Sequence, residues 1–194
     1  MLISDPAEIA DITKAMLHLP PMQGNRVAIV TFTGAGGIIL IDALTMCGLK
    51  LAVLSSQTLS RVAALSPSWL TIQNPLDVWP ALMVHGMEHV YPAVLRSVLE
   101  DPGVDGVICI AIAPDLPDQA YLDATGAIEQ VADACPKKPV VAWLYGANQE
   151  CVSRNLERSG TAISVPTLPR AARVLEALYR RHLFLRQMAP FIPG

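Results

Sequence analysis

The feature that most constrains this chain is an alternation of short, continuously apolar runs with longer segments whose apolar residues recur at helical spacing. Residues 26–31 (RVAIVT), 51–54, 69–72, 104–113, 139–144 and 163–165 are the strand candidates. Continuous apolar runs suit strands covered on both faces, and strands separated by helical segments form parallel sheets. The pattern therefore predicts an α/β domain of three layers, a mostly parallel sheet with helices on both faces. The longest run, 104–113, should lie at its centre.

Helix signals fall between these runs. Asp5 is placed to cap a helix over 6–17 with Pro6 at its first position, and Pro20 and Pro21 stop it. Further helices are expected over 37–47 closed by Gly48, from Ser55 or Ser56 to 65, over 87–99 ended by Asp101-Pro102-Gly103, and over 116–134. The last two are 148–159, capped by Gly160, and about 169–187. Residues 1–20 read as a helix and linker that ends a preceding domain or packs on this one, and 21–187 as the domain. Residues 188–194, with Pro190 and Pro193, read as a linker tail.

Composition narrows the function. Apolar residues make up 52% and charged ones 16%, a surplus of apolar surface that calls for cover by something else. The longest apolar tract, 37–54, is interrupted by Asp42 and Lys50, so no membrane span is expected. The first residues lack the pattern of a secretory signal, and the cytoplasm is the expected location. A net charge of −3 gives no reason to expect nucleic acid or an anionic membrane as partner. Cys47, Cys109, Cys135 and Cys151 are too far apart for a CxxC pair or zinc knuckle and read as core fillers. His85 and His89 stand four apart without a further ligand at metal spacing, so no metal is expected. Neither a Ser-His-Asp arrangement nor a G-x-S-x-G elbow occurs. Arg170, Arg173, Arg180, Arg181 and Arg186 on the last helix suggest a solvated or interdomain face.

In an open parallel sheet, ligands collect beyond the carboxyl ends of the strands. Loops 33–37, 74–77, 114–117 and 146–148 should meet there. In TFTGAGG, residues 31–37, glycines allow positive φ and close backbone approach, while free N–H groups at a helix start attract an anion. Thr33, Gly34, Ala35, Gly36 and Gly37 are thus candidate phosphate ligands, with a tight packing turn as the alternative. The loop is neither a Walker loop, since no Lys-Ser or Lys-Thr follows, nor a dinucleotide fingerprint, since Ile39 stands at the third glycine position. Asn74-Pro75-Leu76-Asp77 is a stiff loop carrying two polar side chains, Asn74 and Asp77. Its alternative is a turn in which both satisfy local backbone.

These motifs resemble the NDP-forming acyl-CoA synthetases related to succinyl-CoA synthetase. TFTGAGGIILIDAL, residues 31–44, aligns without a gap with that family's T-N-S-G-G-P-G-V-L-A-A-D-A-L, and residues 74–78 (NPLDV) match its N-P-V-D-L. Residues 101–105 (DPGVD) and 138–140 (KPV) are similar as well. The resemblance implies a flavodoxin-like CoA-ligase domain within an enzyme that interconverts acyl-CoA, ADP and phosphate with acid, CoA and ATP. In such enzymes the route passes through an acyl phosphate and a phosphorylated histidine, toward which the helix near Gly36 would aim its N-terminus. It also implies partner CoA-binding and ATP-grasp domains, an oligomer, and ATP or ADP, Mg and CoA for the complete enzyme, with none held by this domain alone. Phe32, Ala35 and Gly36 stand where the family pattern has Asn, Gly and Pro. The S-H-T-G-type segment bearing the phosphorylatable histidine does not occur here, so the chain is expected to be a piece or a separately encoded subunit, without catalytic residues and inactive alone. Two other readings stay open: a flavodoxin-like FMN or phosphate binder, and a non-catalytic interaction domain.

Overall fold

The computed structural model describes residues 5–188; of the expected tail over 188–194, residues 189–194 lie outside them, and Met188 ends a helix. In chain order the elements are α1 (Ala7–His18), β1 (Arg26–Thr31), α2 (Gly34–Met46), β2 (Lys50–Leu51), α3 (Ser56–Ala63), β3 (Leu76–Asp77), α4 (Trp79–His85) and α5 (Met87–Glu100). They continue with β4 (Gly106–Ile112), α6 (Thr125–Ala134), β5 (Val140–Tyr145), α7 (Gln149–Leu156), β6 (Ile163–Ser164) and α8 (Leu168–Met188). All strand pairs are parallel, in the order β2-β1-β4-β5-β6, with β3 also on β1. That order is the flavodoxin-like one, and the three-layer expectation holds.

Alternation along the strands sorts the core into two layers. Val27 and Ile29 of β1 join Ile108 and Ile110 of β4 under α1, α2 and α8. Ala28, Val30 and Phe32 join Val107, Cys109 and Ala111 under α3 to α7. Strand β4 is central as expected, with every residue from Gly106 to Ala111 buried, and each large apolar side chain enclosed there contributes about 1.5–3 kcal/mol.

The amino edge of the sheet is closed by carboxylates. Asp105 accepts from the Arg26 backbone N–H at 2.9 Å, from Nε at 2.8 Å and from Nη2 at 2.8 Å. Asp101 accepts from Ser55 N–H at 2.8 Å, Ser55 Oγ at 2.9 Å and Gly103 N–H at 2.7 Å. Lys138 Nζ donates to the Asp101 carbonyl at 2.6 Å. Burial opposes the charge of both carboxylates, but these hydrogen bonds outweigh it and hold both below the ordinary carboxylate range.

Several expectations need correction. Residues 69–72 form no strand; the edge strand lies instead at β3, inside the expected loop. Residues 116–134 are not one helix: a short 3-10 turn over Pro117–Leu122 precedes α6, whose start is held by Asp123 Oδ1 accepting from Thr125 N–H and Oγ1. The arginines of α8 divide: Arg180 and Arg186 are exposed, whereas the other three meet α1. Arg170 pairs with Asp11, Arg173 with Glu8 at 3.3 Å, and Arg181 Nη1 donates to the Met16 carbonyl at 2.7 Å, so three of them clip α1 onto the domain. Of the cysteines, Cys109 is buried but Cys151 is exposed. The Cys47 thiol is pushed up to about 11 by burial and by nearby Glu176.

Candidate functional site at the start of α2

Helix α2 begins three residues earlier than the glycine content suggests. Thr33 is its N-cap in extended conformation (φ −144°, ψ 122°), and Gly34, Ala35, Gly36 and Gly37 form its first turn. None of these glycines has positive φ, so their conformational freedom is not what the turn uses. Close approach is. A Cβ on Gly36 would stand 3.0 Å from Thr33 Cγ2 and 3.4 Å from Ile110 Cδ1, and one on Gly37 would stand 3.0 Å from Pro75 Cβ.

The hydrogen bonds of this turn divide its residues. Thr31 Oγ1 accepts from Thr33 N–H at 2.9 Å and donates to the Thr33 carbonyl at 2.7 Å, locking the turn. Gly37 N–H donates to the Thr33 carbonyl at 3.2 Å, which opens the helical ladder. Gly37 therefore offers no free donor, contrary to expectation. The N–H groups of Gly34, Ala35 and Gly36 precede that first bond and remain among the orphan donors of a helix start. The Thr33 side chain makes no cap hydrogen bond to them. Gly34 and Ala35 are exposed and Thr33 half-buried, whereas Gly36 and Gly37 are covered. The turn is thus an open shelf backed by packed glycines.

Asn74 serves a different purpose from the one expected. Strand β2 pairs with the first half of β1 (Arg26↔Lys50, Val27↔Leu51) and β3 with the second (Val30↔Leu76, Thr31↔Asp77). The Asn74 amide fills the break between them. Its Oδ1 accepts from Ile29 N–H at 2.9 Å, and Nδ2 donates to the Val27 and Ala52 carbonyls at 3.0 Å each. The amide is consumed by main chain, so Asn74 holds the edge strand together rather than facing a ligand; the following bond to Pro75 is cis.

Asp77 does reach the shelf. Oδ1 accepts from Trp79 N–H at 3.1 Å, and Oδ2 lies 3.7 Å from the position of a Cβ on Gly34. Tyr145, which the sequence reading passed over, ends β5 on the same face of the sheet. Its ring lies 5.2 Å from that of Trp143, and burial and the charge of Asp77 push the pKa of its hydroxyl up. Strict alternation from Val141 through Trp143 would have found it. Loop 146–148 is structural: Gly146 (φ +137°) passes so near Ala113 that a Cβ would meet its carbonyl oxygen at 2.4 Å. Asn148 Nδ2 donates to the Pro114 carbonyl at 3.2 Å.

A separate depression of about 620 Å³ lies at the β6 edge, lined by Lys14, Glu157 and Ser164 among others. Lys14 is engaged there by Glu157 and the Ser164 carbonyl, so its charge is already spent on the fold.

No family model matches the chain. Individual relatives do. An ADP-forming acetate–CoA ligase II of Archaeoglobus fulgidus is 40% identical over 101 residues, covering 52% of this chain and 15% of that protein. The alpha subunit of an ADP-forming acetate–CoA ligase II of Pyrococcus furiosus is 31% identical over 162 residues, 82% of this chain and 34% of that subunit.

The chain is a domain of the NDP-forming acyl-CoA synthetase family.

Solved structures agree in fold. A protein of Pyrococcus horikoshii OT3 matches 93% of this synthetase domain, and 41% of its own length, with a TM-score of 0.80 and 25% identity. A dinucleotide-forming acetyl-coenzyme A synthetase 1 of Ca. Korarchaeum cryptofilum, solved with phosphate and ADP, matches all of it at TM-score 0.79 and 20% identity, over 41% of that chain. The synthetase domain spans about a third of the Pyrococcus furiosus subunit and less of the Archaeoglobus fulgidus ligase. Among the described residues no helix is long and apolar enough to cross a membrane, and no group of three His, Cys, Asp or Glu stands ready for a metal ion.

Proposed function

We propose that this synthetase domain receives a phosphoryl group on the first turn of α2 during the conversion of acyl-CoA, ADP and phosphate to acid, ATP and CoA. The observation that carries the proposal is the set of three orphan N–H groups, Gly34, Ala35 and Gly36, at an exposed helix start beyond the carboxyl end of β1. A helix N-terminus with aligned amides stabilises negative charge, and one well-placed donor in a closed site contributes on the order of 3 kcal/mol. Thr33 adds a hydroxyl. Gly37 and Asn74 shape the site from behind. Asp77 borders it.

The shelf is open, so closure falls to other domains. CoA, nucleotide with Mg, and the phosphorylatable histidine are assigned to the CoA-binding, ATP-grasp and linking segments, in the same polypeptide or in partner subunits of an oligomer. Apolar residues exposed on α2, Ile38 at 66%, Ile39 at 55% and Met46 at 89%, give such neighbours a surface to cover, since a helix apolar on all sides belongs in an interior. The cytoplasm is the proposed compartment.

The test is Gly34→Pro in a full-length enzyme containing this domain. Proline at the first helical position removes one N–H with little cost to the helix, and Thr33 is already extended as a residue before proline must be. We expect kcat for ADP- and phosphate-dependent acyl-CoA cleavage to fall at least tenfold with an unchanged unfolding midpoint. An unchanged kcat would overturn the proposal, as would acyl-CoA cleavage by the 194-residue chain alone.

A further inference from the structure

Helix α8 is longer than the body it packs on. Its buried side chains all lie between Leu168 and Leu178, and from Leu183 to Met188 every residue is exposed. Four of those six, Leu183, Phe184, Leu185 and Met188, are large and apolar. At about 100° per residue they spread over more than half the circumference of the helix, and a helix end of that kind belongs against another element. A concave seat is already formed beside it. Met16 from the last turn of α1, with Ala177, Arg180, Arg181, Phe184 and Leu185, lines a depression of about 400 Å³, wide enough to take a large apolar side chain.

Charge decides what fits there. From Ala177 to Met188 the chain carries Arg180, Arg181, His182 and Arg186 but no carboxylate, and residues 12–18 at the end of α1 add none. Arg180 is answered by Glu176 at 2.7 Å. Arg181 is held by the Met16 carbonyl, an uncharged acceptor, and Arg186 has no hydrogen bond or ion pair among the described residues. The partial negative charge of a helix end, about half a unit, offsets only part of these two cations. A second copy docked end to end would set the same guanidinium groups against each other, where like charges repel. An acidic partner relieves them.

We infer that the exposed end of α8 and the depression beside Met16 form a docking surface for an acidic amphipathic helix of another domain or subunit. An apolar side chain of that helix fills the depression against Phe184 and Leu185, and its carboxylates meet Arg181 and Arg186 at the rim, as in other grooves that hold a helix by apolar anchors. The inference is independent of the phosphoryl site, which lies at the other edge of the sheet, because α8 leaves β6 at its carboxyl end and runs back beside α1.

The test uses two helical peptides about five turns long, identical in a leucine face and differing only in the opposite face, glutamate in one and lysine in the other. Binding to the 194-residue chain is followed by fluorescence anisotropy and by the backbone amide resonances. A net charge of −3 would by itself draw the lysine peptide, so bulk charge and the proposed surface predict opposite preferences. The glutamate peptide should bind at least tenfold more tightly than the lysine peptide, with shifts centred on Met16, Arg181, Phe184 and Leu185. Phe184→Ser should weaken it at least tenfold, and Arg186→Glu should remove most of the preference for glutamate, both at an unchanged urea midpoint because the two side chains are exposed. Equal or reversed preference would overturn the inference, as would no binding or shifts away from α8. So would another occupant of the seat: a dimer in sedimentation that Phe184→Ser dissolves, nuclear Overhauser contacts from residues 189–194 to Phe184, or Phe184-dependent binding to phosphatidylserine vesicles.

Discussion

The two edges of the sheet treat their polar groups in opposite ways. At the amino edge, Arg26, Asp101, Asp105, Lys138 and Ser55 form a closed set in which each carboxylate accepts three hydrogen bonds. At the carboxyl edge, the N–H groups of exposed Gly34 and Ala35 and of covered Gly36, and one carboxylate oxygen, are left without a partner among the described residues. Buried polar groups without partners are costly, so a fold leaves donors open where they stay at the surface until something else binds them. Closure at one edge secures the strand ends, and openness at the other leaves a place for chemistry. Asn74 marks the boundary, for its amide completes the sheet just below the open turn.

The largest expected effect comes from breaking that boundary. Asn74→Ala orphans the Ile29 N–H and the Ala52 carbonyl, each worth about 1–2 kcal/mol, and takes a second donor from the Val27 carbonyl, which keeps the Ala52 N–H; urea denaturation should show the greatest loss of stability among these variants. A smaller loss, about 2 kcal/mol at neutral pH, is expected for Asp105→Asn, which weakens the fork with half-exposed Arg26. The pH dependence follows from sign. Both Asp101 and Asp105 have folded pKa values below the unfolded ones. Their stabilisation is therefore complete above the ordinary carboxylate range near pH 4 and is lost as pH falls through and below it. Denaturation at pH 7, 4.5 and 3 should show parent and Asp105→Asn converging as acid is added. A constant gap would mean that the amino edge is held by something other than ionised Asp105.

Glycines of one turn should then separate by position. Gly37→Ala drives a Cβ to 3.0 Å from Pro75 and should cost about 1–2 kcal/mol by overpacking. Gly34→Ala meets only Asp77 Oδ2 at 3.7 Å, an ordinary contact, and thermal unfolding should detect a change within about 0.5 kcal/mol. Equal costs at the two positions would erase the distinction between open shelf and packed backing.

How much of this was legible beforehand depended on the range of the interactions involved. Strands β1, β4 and β5 were readable because burial on both faces writes a continuous apolar run, and the start of α3 because Ser55 accepts from Thr58 N–H only three residues away. Helix α4 was missed because seven residues with Pro80 in the first turn show little period. The start of α2 was misplaced because glycine is a poor helix former; contacts with Ile110 and Pro75, distant in sequence, decide for helix. The role of Asn74 was beyond sequence reading altogether, since its partners lie 22, 45 and 47 positions away.

The most direct test of the central claim is a titration of the parent chain beside Gly34→Pro with inorganic phosphate, following the backbone amide resonances. The account predicts saturating shifts at the Gly34, Ala35 and Gly36 amides of the parent and at least tenfold weaker binding to the proline variant, with equal stability of the two. Equal affinity, or shifts confined to other residues, would contradict it.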